Sequence, residues 1–196
     1  MSDYNKSISI IKDVYNLESN AISAGVGSLI STAEIKVLIC YVISGVNSPV
    51  PGKQLANLLN IEGIANYFEV MDALEALLNS GNLTYNEKDD TYQVTKVGAA
   101  AADTLKTILP FTVKEKAFAL TAKMIARLKN AKDTRIETVK ENGFMYLICS
   151  AVENGIDLMS VKLMVTDEAQ ANAIKERFLD NPSLVYTGLV DLLTND

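Results

Sequence analysis

Few residues in this chain have the types and spacing that catalysis or metal binding requires. Histidine is absent from all 196 residues, which removes the commonest general base and the commonest zinc ligand. The two cysteines, Cys40 in VLICYVI and Cys149 in MYLICSAV, lie in apolar runs and are expected to be buried, reduced thiols. Two separated cysteines without histidine cannot form a structural zinc site. The composition therefore excludes most hydrolase and metalloenzyme classes.

Two further patterns carry little chemistry. Asp89 and Asp90 are adjacent in a predicted turn, which offers neither the burial nor the cleft that acid–base catalysis by paired carboxylates needs. Gly25 and Gly27 form a GxG with no preceding strand and no third glycine, so a linker or helix break is favoured over a phosphate loop. We predict that the protein is not an enzyme and has no catalytic residue, no metal site and no cofactor.

The first half of the chain has the element order of a winged helix. Ser31 and Glu34 have capping-box spacing before the apolar run EIKVLICYVISGV, and GKQLANLLNI and IANYFEVMDALEALLNSG predict two more helices. Residues 80–98, SGNLTYNEKDDTYQVTKVG, then predict a β-hairpin with a charged turn, and Thr95 can cap the helix that follows. Three helices followed by a hairpin indicate a winged helix-turn-helix.

The second half predicts a long helix and a small sheet. Thr112 and Glu115 have capping-box spacing at the start of TVKEKAFALTAKMIARLKNA. Asn142-Gly143 and Asn154-Gly155 separate three β-prone runs and supply the positive φ of tight hairpin turns, which predicts a three-stranded antiparallel meander. Two helices follow, and Ser183 is expected to cap the second.

The predicted fold class is α+β, a winged helix-turn-helix followed by a connecting helix and a small three-stranded antiparallel α+β domain. The boundaries are 1–30 for an N-terminal helical segment and linker, 31–110 for the winged helix, 111–132 for the connecting helix and 133–196 for the C-terminal domain. No apolar run approaches a membrane span, and the N-terminus lacks the apolar region of a signal peptide. We expect a cytoplasmic protein that does not contact membranes.

Two quoted stretches carry a family resemblance. The segments NYFEVMDALEALLNSGNL and NPSLVYTGLVDLL resemble an uncharacterised bacterial family, a domain of unknown function with an N-terminal winged helix. The hairpin stretch is similar to those of bacterial winged-helix transcriptional regulators. The resemblance covers roughly residues 31–194 and implies a winged helix without implying an activity.

Charge bears on whether this winged helix binds DNA. Residues 31–104 contain four lysines and nine carboxylates, a net charge of −5. With Met71 at the centre of the buried face, the helical period buries Ile64, Tyr67, Phe68, Leu74 and Leu78 and turns outward Glu62, Asn66, Glu69, Ala73 and Ala76. Phosphates would be repelled by this face and by the NEKDD turn. The candidate DNA-binding residues are Lys53, Gln54, Asn57, Asn66 and Lys88.

The charge reverses between residues 106 and 140. Nine basic and three acidic residues give this segment a net charge of +6. Lys116, Lys123 and Arg127 share one face of the long helix. This basic face is a solvated surface, an anion site, or a contact with an acidic winged helix in a partner subunit.

Two functions from different classes fit these patterns. The first is a dimeric winged-helix transcriptional regulator that binds DNA and uses its C-terminal domain for dimerisation or ligand sensing. The second is a non-catalytic protein-interaction module that presents an acidic winged-helix face to a basic protein partner. A homodimer is expected because the strand Phe144–Val152 is apolar on both faces, and a second subunit could cover one of them.

Overall fold

The computed structural model describes residues 31–195, which form helices and two three-stranded antiparallel sheets. The α+β fold class is confirmed. The helical segment and the GxG linker that were predicted within residues 1–30 lie outside the described residues. Residues 31–195 divide into two compact units, residues 31–125 and 126–195, and the division falls inside one long helix.

The first unit contains four complete helices, a short 3-10 turn, three short strands and most of the long helix. Their bounds are α1 (Thr32–Val46), β1 (Val50–Pro51), α2 (Gly52–Ile61), α3 (Tyr67–Asn79), β2 (Leu83–Asn86), β3 (Thr91–Val94), α4 (Lys96–Leu105), the 3-10 turn (Lys106–Ile108) and α5 (Phe111–Lys132).

Helix α1 forms the centre of this unit. The Ser31–Glu34 capping box is present: the Ser31 side chain accepts from the Glu34 N–H, and the Glu34 carboxylate accepts from the Ser31 N–H at 2.8 Å. These hydrogen bonds to Ser31 lower the pKa of Glu34 below its ordinary value. Ile35, Leu38 and Ile39 are fully buried, and α1 packs against α3, α4 and β3. The predicted apolar helix is therefore the core element.

The hairpin β2–β3 lies beside β1 in a sheet of order β1-β3-β2. Tyr92 of β3 is paired with Val50 on one side and with Tyr85 on the other. Thr95 caps α4 as predicted, since its hydroxyl accepts from the Gly98 N–H at 3.1 Å.

The second unit is a three-stranded sheet followed by two helices. The strands are β4 (Thr134–Glu141), β5 (Phe144–Glu153) and β6 (Ile156–Val165), and the helices are α6 (Glu168–Asp180) and α7 (Pro182–Thr194). The sheet order is β4-β5-β6, so the predicted meander is confirmed. Both Asn-Gly pairs have positive φ at both residues, as two-residue hairpin turns of this type require.

One face of this sheet is covered by α6. Leu147 and Cys149 of β5 and Met159 of β6 pack with Ala171 and Phe178 of α6. The opposite face is only partly buried, and it carries an ion pair between Lys162 and Glu141 at 2.6 Å. The second subunit that was expected to cover this face stays a prediction.

Two predicted caps are each wrong by two residues. Helix α5 begins at Phe111, so Thr112 lies inside the helix and cannot act as its cap. Helix α7 is capped by Asn181, whose side chain accepts from the Leu184 N–H at 3.0 Å, while Pro182 takes the first helical position. Ser183 is therefore inside the helix.

Candidate functional site

The turn between β2 and β3 is tied to the start of α2. Asp90 has a φ of 51°, in the left-handed region, at the end of the hairpin turn. Its Oδ2 accepts from Lys53 Nζ of α2 at 3.2 Å, and its Oδ1 accepts from the Tyr85 hydroxyl at 2.8 Å. The Asp90 carboxylate therefore stays half exposed in the turn and also links the turn to β2 and α2.

The neighbouring turn residues form their own network. Asn86 donates from Nδ2 to Asp89 Oδ2 at 2.9 Å, and its Oδ1 accepts from the Lys88 N–H at 3.0 Å. These are local contacts of the kind that stabilise turns. The Lys88 side chain is exposed. The turn therefore presents Glu87, Lys88 and Asp89 at the surface, with Asp90 held against the hairpin.

Two tyrosines lie beneath this turn, with their ring centroids 4.9 Å apart. The hydrogen bond to Asp90 raises the pKa of Tyr85 above its ordinary value. Burial raises the pKa of Tyr92, and the negative charges of Asp90 and Glu75 add to this effect, while Lys53 opposes it. The Asp90 carboxylate therefore acts on both tyrosines.

The exposed face of α3 differs from the predicted one. Ala73, which was expected to point outward, is 1% exposed, and Phe68, which was expected in the core, is 66% exposed. The buried residues are Val70, Ala73, Leu74 and Leu77. The exposed ones are Phe68, Asp72, Glu75 and Asn79. The helix is thus rotated by about 100° from the predicted orientation.

The cause of this rotation is packing between elements distant in sequence. Helix α3 contains apolar residues on more than one face, so the helical period alone allows two buried stripes. Packing against α1, α2 and β2 selects the stripe with the small Ala73. The spacing of Val70, Leu74 and Leu77 was the signal in the sequence for the correct stripe. The acidic character of the exposed face survives the correction, because Asp72 and Glu75 replace Glu62 and Glu69.

The predicted DNA-binding residues occupy α2, the start of α3 and the hairpin turn. Lys53 is exposed at the first turn of α2, and Gln54 and Asn57 are half-buried on the same helix. Asn66 is the N-cap of α3, where its Oδ1 accepts from the Phe68 N–H at 2.9 Å. Of these residues, Lys53 contacts the hairpin turn through its ion pair with Asp90. The Asn66 side chain is engaged in capping α3.

The three residues of the predicted basic face lie on α5. Lys116 donates to both Glu62 Oε2 at 2.8 Å and the Glu62 carbonyl oxygen at 3.2 Å. Lys123 is exposed. Arg127 is mostly buried and forms ion pairs with Glu176 and, at 2.9 Å, with Asp180, both on α6. Carboxylates therefore neutralise Lys116 and Arg127 within the chain, and their charges hold elements together.

Both cysteines are free and buried, as predicted. Burial raises the pKa of the Cys40 thiol and that of the Cys149 thiol to about 11. A thiol with such a pKa is almost entirely protonated near neutral pH, which makes it a poor nucleophile. Within residues 31–195 no group of three or more acidic or cysteine side chains could hold a metal ion.

No helix in the described part of the chain combines the length and apolar content needed to cross a membrane.

Comparison with curated proteins and with solved structures gave no match. A family model described as a domain of unknown function, DUF4364, matches residues 35–193, which include both compact units. The chain therefore belongs to the DUF4364 family.

Proposed function

We propose that residues 31–110 form a winged helix and that the protein is a dimeric, DNA-binding transcriptional regulator whose C-terminal unit mediates dimerisation. The observation that carries this proposal is the sheet order β1-β3-β2 in a unit whose elements run α1-β1-α2-α3-β2-β3. On this proposal α2 and α3 are the helix-turn-helix and β2–β3 is the hairpin that follows it. The second helix of such a motif enters the major groove, and here that helix would be α3.

Positioning on DNA would depend on the start of α2. Lys53 and Asp90 are both well exposed at 65% and 50% of their side-chain surfaces, and such a pair contributes only about 0–1 kcal/mol. A DNA phosphate could therefore replace Asp90 as the partner of Lys53 at little cost. Gln54, Asn57 and Lys88 would add contacts to the backbone or to base edges.

A second candidate function is supported by the exposed face of α3. Phe68 is an exposed aromatic side chain, and Asp72 and Glu75 are exposed on the same face. An apolar side chain flanked by carboxylates suits a basic, partly apolar protein segment. On this alternative the winged helix is a protein-interaction module, and the C-terminal unit still forms the dimer.

Selection from a random duplex library at low salt, repeated at higher salt, tests the regulator. We expect an enriched sequence whose affinity falls steeply with salt. Lys53→Gln should weaken binding to all sequences and reduce the slope of log K against log salt by about 1. Lys96→Gln is the matched control, since Lys96 is exposed on α4 and outside the proposed contact. Absence of enrichment at low salt would reject DNA binding.

The hairpin turn allows a sharper version of this test. Asp89→Asn removes one negative charge without touching Lys53, so it should strengthen binding to every duplex by easing repulsion from phosphates. Asp90→Asn should strengthen binding more, because it also releases Lys53. On the interaction alternative neither change creates DNA affinity, and Phe68→Ala should weaken binding of a basic peptide instead.

A further inference from the structure

Helix α7 has an apolar stripe along its whole length. At 100° per residue, Pro182, Val185, Tyr186, Leu192 and Leu193 all fall within about 60° of Leu189. The opposite side carries Thr187, Asp191 and Thr194, together with one apolar residue, Leu184. The spacing of three and four residues between stripe positions is that of a helix whose apolar side packs against another helix.

Most of this stripe is uncovered. Leu192 and Leu193 are 81% and 78% exposed, and Val185, Tyr186 and Leu189 are also exposed. Pro182, at the first position of the helix, is the one residue of α7 that is fully buried. The helix contains no cation and a single carboxylate, Asp191. Contiguous exposed apolar surface of this kind marks an interaction site.

Gly188 provides a second, independent observation. It lies in the middle of α7, where glycine destabilises a helix relative to alanine. A Cβ atom at this position would meet no atom of residues 31–195 within 4 Å, and the φ of Gly188 is not in the left-handed region, so nothing in this part of the chain requires glycine. Gly188 flanks the stripe, where the absence of a side chain allows close approach of a second helix backbone.

We propose that α7 packs along α7 of a second copy of this chain across a twofold axis near Leu189. A twofold axis places the same uncharged stripe against itself, so no charge has to be matched between the two surfaces. With Val190 at its edge, the stripe exposes roughly 600 Å² of apolar surface on each copy. Covering both would bury about 1,200 Å², the lower limit for a stable protein interface.

This inference names the contact that forms the dimer in the proposed function, and it rests on that dimeric state alone. DNA binding is measured separately, so the two can fail independently. A dimer without DNA affinity would leave the α7 contact intact and reject the regulator. DNA affinity in a protein whose α7 helices do not meet would reject the contact and keep the regulator.

The first experiment substitutes the two most exposed leucines in the full chain. Leu192→Glu with Leu193→Glu should raise the dimer Kd by at least about 100-fold, measured by sedimentation equilibrium, because two carboxylates per copy would be buried. Thr187→Glu with Thr194→Glu, on the polar side, is the matched control and should change the Kd by less than about threefold. Far-UV circular dichroism should be the same for all three proteins, since these side chains are exposed in a single chain. Equal effects of both pairs, or a monomeric unsubstituted protein at high concentration, would overturn the proposal.

The second experiment identifies what covers the stripe. Leu189→Cys should give a covalent dimer with a short bis-maleimide, whereas Thr187→Cys on the opposite side should not. Cys40 and Cys149 are buried and should contribute little background. If residues 1–30 of the same chain covered the stripe, Leu189→Cys would give no intermolecular product, and the proposal would fail. Gly188→Ala offers a further check, because the added Cβ meets no atom of residues 31–195 within 4 Å yet should weaken dimerisation by keeping the second helix at a distance.

Discussion

The two compact units differ in how completely they bury their apolar side chains. Of the twelve largest fully buried side chains among residues 31–195, ten lie in the first unit, and Leu147 and Leu179 are the two in the second. Large exposed apolar side chains are distributed the other way, with seven in the first unit and twelve in the second. The first unit therefore buries more of its large apolar side chains than the second, which leaves more of them exposed to another surface.

This difference suggests separate tasks for the two units. A unit with a complete core can hold α2, α3 and the hairpin in fixed positions, as recognition of a partner requires. A unit with an incomplete core gains stability when a second copy covers its exposed stripe. Stability of the second unit should consequently depend on protein concentration, and stability of the first should not.

The largest expected effect concerns the core of the first unit. Leu38→Ala should lower the free energy of unfolding of this unit by about 3–4 kcal/mol, because Leu38 is fully buried and its truncation leaves a cavity. The same change at the exposed Leu192 should alter single-chain stability by less than about 0.5 kcal/mol. Urea denaturation at low protein concentration measures both. Similar losses at the two positions would contradict the contrast between the units.

The second prediction concerns the ion pairs of the second unit. Arg127→Leu should destabilise this unit by about 2 kcal/mol, because the Arg127 side chain is only 12% exposed and its loss leaves Glu176 and Asp180 without their shared cation. Arg135→Leu, which removes an exposed pair with Asp157, should cost at most about 1 kcal/mol. Thermal unfolding of both variants checks this order. A larger loss at Arg135 would show that burial does not set the strength of these pairs.

The third prediction uses the two thiols as reporters, one in each unit. In single-cysteine variants, Cys149 should react with a thiol reagent at least about tenfold faster than Cys40 at low protein concentration, because the less complete core opens more often. Dimerisation should slow the reaction of Cys149 with the reagent and leave the reaction of Cys40 unchanged. The opposite order of rates would break the comparison.

The two thiols also predict how the stability of each unit depends on alkaline pH. Each folded thiol has a pKa of about 11, above the ordinary value of 9.0. The contribution of each thiol to stability is therefore fully present below pH 9 and is lost as the pH rises toward 11, since the unfolded chain releases its proton first. Replacing either cysteine by alanine should reduce the loss of stability of its own unit over this range.

Several features could be predicted from the sequence because they depend on residues close together in the chain. The capping box at Ser31 and Glu34 and the turns at Asn142-Gly143 and Asn154-Gly155 formed as predicted. The Thr112 cap failed although its spacing is the same, because α5 already begins at Phe111. Local patterns thus predicted which elements exist better than they predicted where each one begins.

Which face of each element is buried was decided by the tertiary structure. The sequence of α3 permits two buried stripes, and contact with α1, α2 and β2 selected the one that exposes Phe68. Arg127 belongs to a basic segment in the sequence, yet Glu176 and Asp180, some fifty residues later, neutralise it. Asp90 similarly acquires Lys53 and Tyr85 as partners only when the hairpin packs beside α2. The sequence by itself determined most of the helices, strands and turns, because their signals lie within a few residues, whereas the two-residue β1 depends on its pairing with β3. Burial and charge pairing were left to the tertiary structure, since they depend on partners that only folding brings together.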